Sequence, residues 1–266
     1  IPSGTANGTF YNNMATVSTT STDSTAENNT ATAGTTVGCV TNPIVTTNAD
    51  TGPGSLRRAI QDACDGATIT FDMTPGHVVS PITLTSGELA IGKNLTIQGP
   101  SANLQTISGN NASRVFDINA SGVTVTLDGL TIANGKFGGD GGGIYNGGTL
   151  NVTNSTISGN STSGSVFSDF GAGIFNNGTL NVTNSTLSGN SVSGGSFRLG
   201  GGIFNNGGTL NVANSTLSGN SISGGLVHRG GGIFNNSGTV TITNSTLSGN
   251  TASGGDESSG GGIANI

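Results

Sequence analysis

Few side chains in this chain could do chemistry. Asp117, Asp128 and Asp140 fall close together in the sequence, with Arg114 and Lys136 as the cations beside them. Clustered carboxylates can hold calcium, and an adjacent Arg or Lys can serve as base and anion clamp, the equipment for cleaving acidic polysaccharides. Asp128-Gly129 reads better as a turn, however. Gly138-Gly139-Asp140-Gly141-Gly142 loosely follows a calcium nonapeptide but occurs once, whereas such sites are built as arrays. His77 and His228 stand apart from each other and from the cysteines, so no Ser/His/Asp or Cys/His set is suggested. No catalytic residue, metal ion or cofactor is expected, and the chain reads as a non-enzyme.

Cys39 and Cys64 are the two cysteines. An even pair flanking a putative first coil fits a disulfide in an oxidising compartment. The alternative is a buried pair of free thiols. As a disulfide it would close a loop worth about 3 kcal/mol on the chain-entropy model.

The elements that must position everything else repeat. Ile144, Ile174, Ile203, Ile233 and Ile263 head successive copies about 30 residues apart, a solenoid period. Leu150, Leu180, Leu210 and Val240 follow. Then come Val152, Val182, Val212 and Ile242, and after them Ile157, Leu187, Leu217 and Leu247. Within Leu210-Asn211-Val212 the apolar residues alternate, the period of a strand. Gly-Gly and Asn-Gly pairs part the strands, and no helical stripe lies between them. Copies must therefore stack strand on equivalent strand, in parallel and in register. Two asparagine columns are expected to ladder: Asn154, Asn184, Asn214 and Asn244, and Asn160, Asn190, Asn220 and Asn250.

Gly200-Gly201-Gly202-Ile203 and Leu217-Ser218-Gly219-Asn220 carry a family likeness. The repeat resembles the right-handed parallel β-helix repeats of bacterial surface proteins, the polymorphic outer-membrane proteins among them. Gly mostly stands where that pattern has Ala, and Leu or Ile where it has Phe. The resemblance covers roughly residues 130–266 well and 38–130 loosely. It implies an all-β, right-handed parallel β-helix, a hand that parallel crossovers also favour, and an exported, adhesin-like surface protein.

Composition limits the partners. Net charge is −6 with seven Lys and Arg, which argues against nucleic acid and anionic membranes. There is no transmembrane run. Sparse lysine and heavy Thr, Ser and Asn usage fit export to the cell surface or beyond.

Three stretches are expected. Residues 1–37 form an extended arm in which Phe10-Tyr11-Asn12-Asn13 echoes Ile203-Phe204-Asn205-Asn206, so the arm should pack as a strand. Residues 38–134 form irregular coils with a capping helix near 55–64, where Leu56, Ala59, Ile60 and Ala63 share a face and Ser55 can cap. This Gly-Ser-Leu-Arg-x-Ala-Ile stretch also resembles the opening segment of many β-helix proteins. Residues 135–266 form the regular coils, each with one variable loop. Phe167, Phe170, Phe197, Leu199, Leu226 and Val227 gather in those loops and either pack internally or make a contact face, the usual seat of variation in repeats.

Ile263-Ala264-Asn265-Ile266 opens a further coil without its Thr-Leu-Asn-Val strand. Exposed strand edges invite pairing. The expectation is a structural protein joining copies head to tail, with Phe10 and Tyr11 of one meeting Ile263 and Ile266 of the next. The alternative is a monomeric domain binding glycans through its loop face. A polysaccharide-active enzyme is a weaker alternative. So is an ice-binding protein, using the outward column Thr149, Thr179, Thr209 and Thr239.

Overall fold

The computed structural model describes residues 10–16, 18, 22, 24, 29–36, 38–164, 167–254 and 257–266, with the side chains of 10–13 and 31–36 outside that description. From Ile44 on, every strand pairing is parallel. Three sheets of eight, seven and seven strands wind into one solenoid, and two smaller sheets of five and four strands extend one flank. The coil that begins at Ile203 shows the plan. Ile203–Asn206, Thr209–Ala213 and Thr216–Ser218 supply the three main sheets, and Ser221–Ser223 and Val227–Arg229 supply the flank. The next coil then starts at Ile233.

The aliphatic columns fall in register as the spacing requires. Leu150 lies beside Leu180, Leu210 and Val240 in turn. Ile144 lies beside Ile174, Ile203, Ile233 and Ile263. Most of these side chains are fully buried and belong to one continuous core with Leu56, Ile69, Ile97 and Ile132. No single coil could form that core alone, because three or four aliphatic groups leave their outer faces wet. Stacking removes that surface at roughly 25 cal/mol per Å².

The irregular coils obey the same rule. Leu95, Val125 and Leu150 line up, as do Ile82, Ile107 and Ile132. The helix runs Leu56–Asp62, and Ser55 accepts from the Arg58 amide at its start. Leu56, Ala59, Ile60 and Ala63 bury into the end of the core. The Lys93 ammonium donates to the Gln61 and Ala63 carbonyls, satisfying acceptors at the helix end. Arg57, unfavourable for the helix dipole at this position, is instead paired with Asp50 at 2.8 Å. Cys39 and Cys64 are disulfide-bonded, with Cα atoms 4.8 Å apart.

Two features differ from the sequence reading. Phe10–Thr16 is a strand as expected, but it pairs antiparallel with Thr30–Thr36 in a hairpin that forms its own two-stranded sheet. And the two asparagine columns are not equivalent. Asn160, Asn190 and Asn220 are fully buried, each amide bonded to the next at 2.9–3.0 Å. Asn154, Asn184, Asn214 and Asn244 are exposed corner residues in the left-handed region, with φ between 48 and 51°. A ladder that the spacing did not single out runs through Asn146, Asn176, Asn205, Asn235 and Asn265, linked amide to amide at 2.5–2.7 Å and buried as far as Asn235.

Candidate functional site

Alternation decides what each coil shows on its flank. In Ile203-Phe204-Asn205 the Ile and Asn point inward, so Phe204 points out. Its equivalents stack on it coil by coil. Tyr145 and Phe175 have centroids 5.2 Å apart, Phe175 and Phe204 5.1 Å, and Phe204 and Phe234 5.3 Å. The stacked rings run along the solenoid axis, so their faces are largely occupied by one another.

The variable loops fold back over this ladder as a sheet of short strands. Ser168–Phe170, Phe197–Leu199, Val227–Arg229 and Glu257–Ser259 pair in parallel. Each returns to its core strand through a left-handed glycine, as at Gly200 (φ 70°), where a Cβ would collide with the Ile203 carbonyl. One side of the loop sheet carries Phe170, Phe197, Leu199, Val227 and Arg229. Together with Phe175, Phe204 and Phe234 these enclose an open groove of about 460 Å³. Asn206, Asn236, Arg229, Glu257 and Asp140 supply polar atoms to its lining, and Ile266 lines it too. The other side carries Asp169, Arg198 and His228 in register, all buried. The Arg198 guanidinium donates to the Gly194, Gly195 and Ser223 carbonyls.

Asp140 sits where the groove meets a charged cluster. Burial pushes its carboxyl up to about 6; Arg114 opposes that shift and Asp169 adds to it. Arg114 is itself buried and engaged: it pairs with Glu88 at 3.1 Å and Asp117 at 3.2 Å, donates to the Asp140 and Gly141 carbonyls, and lies 4.0 Å over the Phe137 ring. Burial raises the Glu88 carboxyl, with Arg114 opposing and Asp117 adding.

The residues singled out in the sequence divide accordingly. Phe170, Phe197, Leu199 and Val227 meet in the groove. Phe167 and Leu226 stand outside its lining, 76% and 53% exposed. Ile263 and Ile266 lie in the last coil, 42% and 58% exposed. The side chains of Phe10 and Tyr11 lie outside the described residues. Sequence reasoning missed Phe175, Phe204 and Phe234 as groove lining. The signal was present, since an aromatic follows the heading Ile in most copies, but what would cover it was not. Thr149, Thr179, Thr209 and Thr239 do form a column. Beside it, the amides of Asn151, Asn181 and Asn211 bond to one another at 2.8–2.9 Å.

Fold and groove together define a parallel β-solenoid with a loop-built flank cleft. No protein-family model matches the chain, and neither a curated protein nor a solved structure matches it. Among the described residues no helix is long and apolar enough to cross a membrane, and no group of three or more His, Cys, Asp or Glu is placed to hold a metal ion.

Proposed function

We propose that this chain is a non-enzymatic, exported structural solenoid of the adhesin-like kind, and that its loop-bearing flank binds glycans. The groove carries this reading. It combines an apolar wall with amide, guanidinium and carboxylate groups, the mixture suited to a sugar with one apolar face and many hydroxyls. Phe197 lines it and is 50% exposed, leaving ring surface on which a pyranose can stack. The Asn206 and Asn236 amides each donate one hydrogen to the neighbouring ladder residue and keep another for a ligand. The disulfide fits an oxidising compartment, and the likeness to bacterial surface repeats agrees with export.

A glycan array tests the reading. Phe197→Ala should abolish the signal, and Leu226→Ala, at an exposed loop tip, should leave it intact. Equal binding by both variants, or no glycan bound by the parent chain, defeats the proposal.

In the expected head-to-tail joining of copies, the strand Phe10–Thr16 would arrive as half of a hairpin, not as a lone donated strand.

A further inference from the structure

The groove is not uniform, and its charges specify more than a neutral sugar. At the end of the lining formed by the later coils, Arg229 and Glu257 pair with each other at 2.9 Å. At the other end Asp140 shares its cation: Arg114 already serves Glu88 and Asp117, so three carboxylates face one guanidinium. Across the flank, Asp169 adds negative charge that Asp140 feels, with Arg198 beside it in register. The Asp140 carboxylate is thus left in a half-buried wall short of positive charge, at the mouth of an apolar cleft. A low-dielectric wall strengthens its call for a cation.

We infer that the groove takes a glycan bearing a free amine, an amino-sugar oligomer whose ammonium pairs with Asp140 while its rings lie along Phe197, Leu199 and Val227. This rests on the glycan-binding reading and sharpens it. Ladder spacing sets the length. From the Asp140 coil to the Asn236 coil is roughly 15 Å at about 4.8 Å per coil, enough for a short oligosaccharide and too long for one sugar. The Asn206 and Asn236 amides meet ring hydroxyls at the far end.

The test compares glucosamine oligomers, their N-acetylated counterparts and glucose oligomers by isothermal titration calorimetry on the full chain. Acetylation removes the charge and keeps the sugar framework. At about pH 7, where the ionised carboxylate and the protonated amine coexist, the free-amine oligomer should bind about tenfold more tightly than the acetylated one, as expected for one partly buried charge-assisted contact. Asp140→Asn should erase that preference while leaving the weaker affinity for neutral oligomers. Lowering the pH to about 5 should weaken amine binding to the parent chain, because the Asp140 carboxyl titrates near 6. Glu88, Asp117, Asp169 and Arg114 surround it, so the same pH change on Asp140→Asn isolates its own share. Equal affinity for amine and acetyl forms overturns the inference and leaves the glycan reading standing. Amine monomers or alkylamines bound as tightly as the oligomer, with Asp140 required, overturn the glycan reading. Absence of binding by every oligomer overturns both.

Discussion

Replacing Asn190 by Ala should destabilise the solenoid far more than replacing Asn184, six residues earlier in the same coil. The Asn190 side chain makes four hydrogen bonds. It accepts from the Asn160 amide nitrogen at 3.1 Å and from Asn160 Nδ2 at 3.0 Å, and donates to Asn220 Oδ1 at 2.9 Å and the Ile157 carbonyl at 3.0 Å. All lie in the interior. Truncation leaves partners on both neighbouring coils without a mate in a site closed to bulk water. Each net bond is worth about 1 kcal/mol, and an orphaned buried group costs about 1–3 kcal/mol. The ladder residues above and below keep part of their bonding, and a water can enter the vacated space, so the expected loss is about 3–5 kcal/mol. Asn184 is exposed and its single ladder contact is long, at 3.5 Å. Its loss reduces to placing Ala at φ 51°, about 1 kcal/mol.

Urea denaturation followed by far-UV circular dichroism measures both, with the slope compared across variants because a solenoid can lose coils in stages. If the two variants lie within 1 kcal/mol of each other at equal slope, the claim that buried amide ladders set the register here is wrong.

Other substitutions probe the remaining supports. Leu210→Ala empties a fully buried column position and should cost about 3 kcal/mol, whereas Leu247→Ala, only partly buried in the last coil, should cost about 1 kcal/mol; chemical denaturation that ranks them equally contradicts the column picture. Cys64→Ser should lower stability by about 3 kcal/mol, and reductant should do the same to the parent chain and nothing further to the variant. Asp50 is buried, which alone would raise its carboxyl, yet the Thr85 amide, Arg57 and Ser86 together hold it below the usual range. Its stabilisation is therefore present above the ordinary aspartate pKa and lost as pH falls through the lower folded value. Asp50→Asn should flatten the acid limb of a melting-temperature profile between about pH 5 and about pH 2, and an unchanged limb refutes the assignment.

How much of this was legible in the sequence varied by position. Columns such as Leu150 to Val240 could be read outright, because a parallel stack forces equivalent residues together and a one-residue slip would expose them all. The glycine preceding each core strand was legible as a motif, and the clash at Gly200 shows why the chain needs it. The ladders were harder. Asn154 and Asn160 recur with the same period, and only the path of the chain around a corner decides that one is exposed and the other sealed. Asn146 was legible in principle, since Ile144 points inward and the residue two later must follow it. The flank sheet was not, because its strands pair only with other loops and the loops drift in length: Ile174 to Ile203 is 29 residues, Ile203 to Ile233 is 30. Their contents vary where nothing in the core constrains them.

That freedom is the strongest support for the proposal that the flank binds a ligand. Core positions repeat nearly unchanged from coil to coil, as stacking demands. Along the groove wall the register partners change instead: Phe170, Leu199, Arg229 and Ser259 in one column, Ser168, Phe197, Val227 and Glu257 in the next. The first column passes from aromatic to aliphatic to cationic to hydroxyl; the second gains its carboxylate only at the last coil. A wall selected for packing alone over the aromatic ladder of Tyr145, Phe175, Phe204 and Phe234 would be apolar throughout. A wall whose side chains change from coil to coil, with Asp140 at one end and the Arg229–Glu257 pair at the other, distinguishes the two ends of whatever lies in it. A ligand in this groove should consequently bind in one direction. Exchanging Leu199 and Arg229, which keeps composition and changes the order of the first column, should weaken binding at least as much as Phe197→Ala while leaving the melting temperature within a few degrees. Undiminished affinity in that exchange would show the order of the wall to be irrelevant.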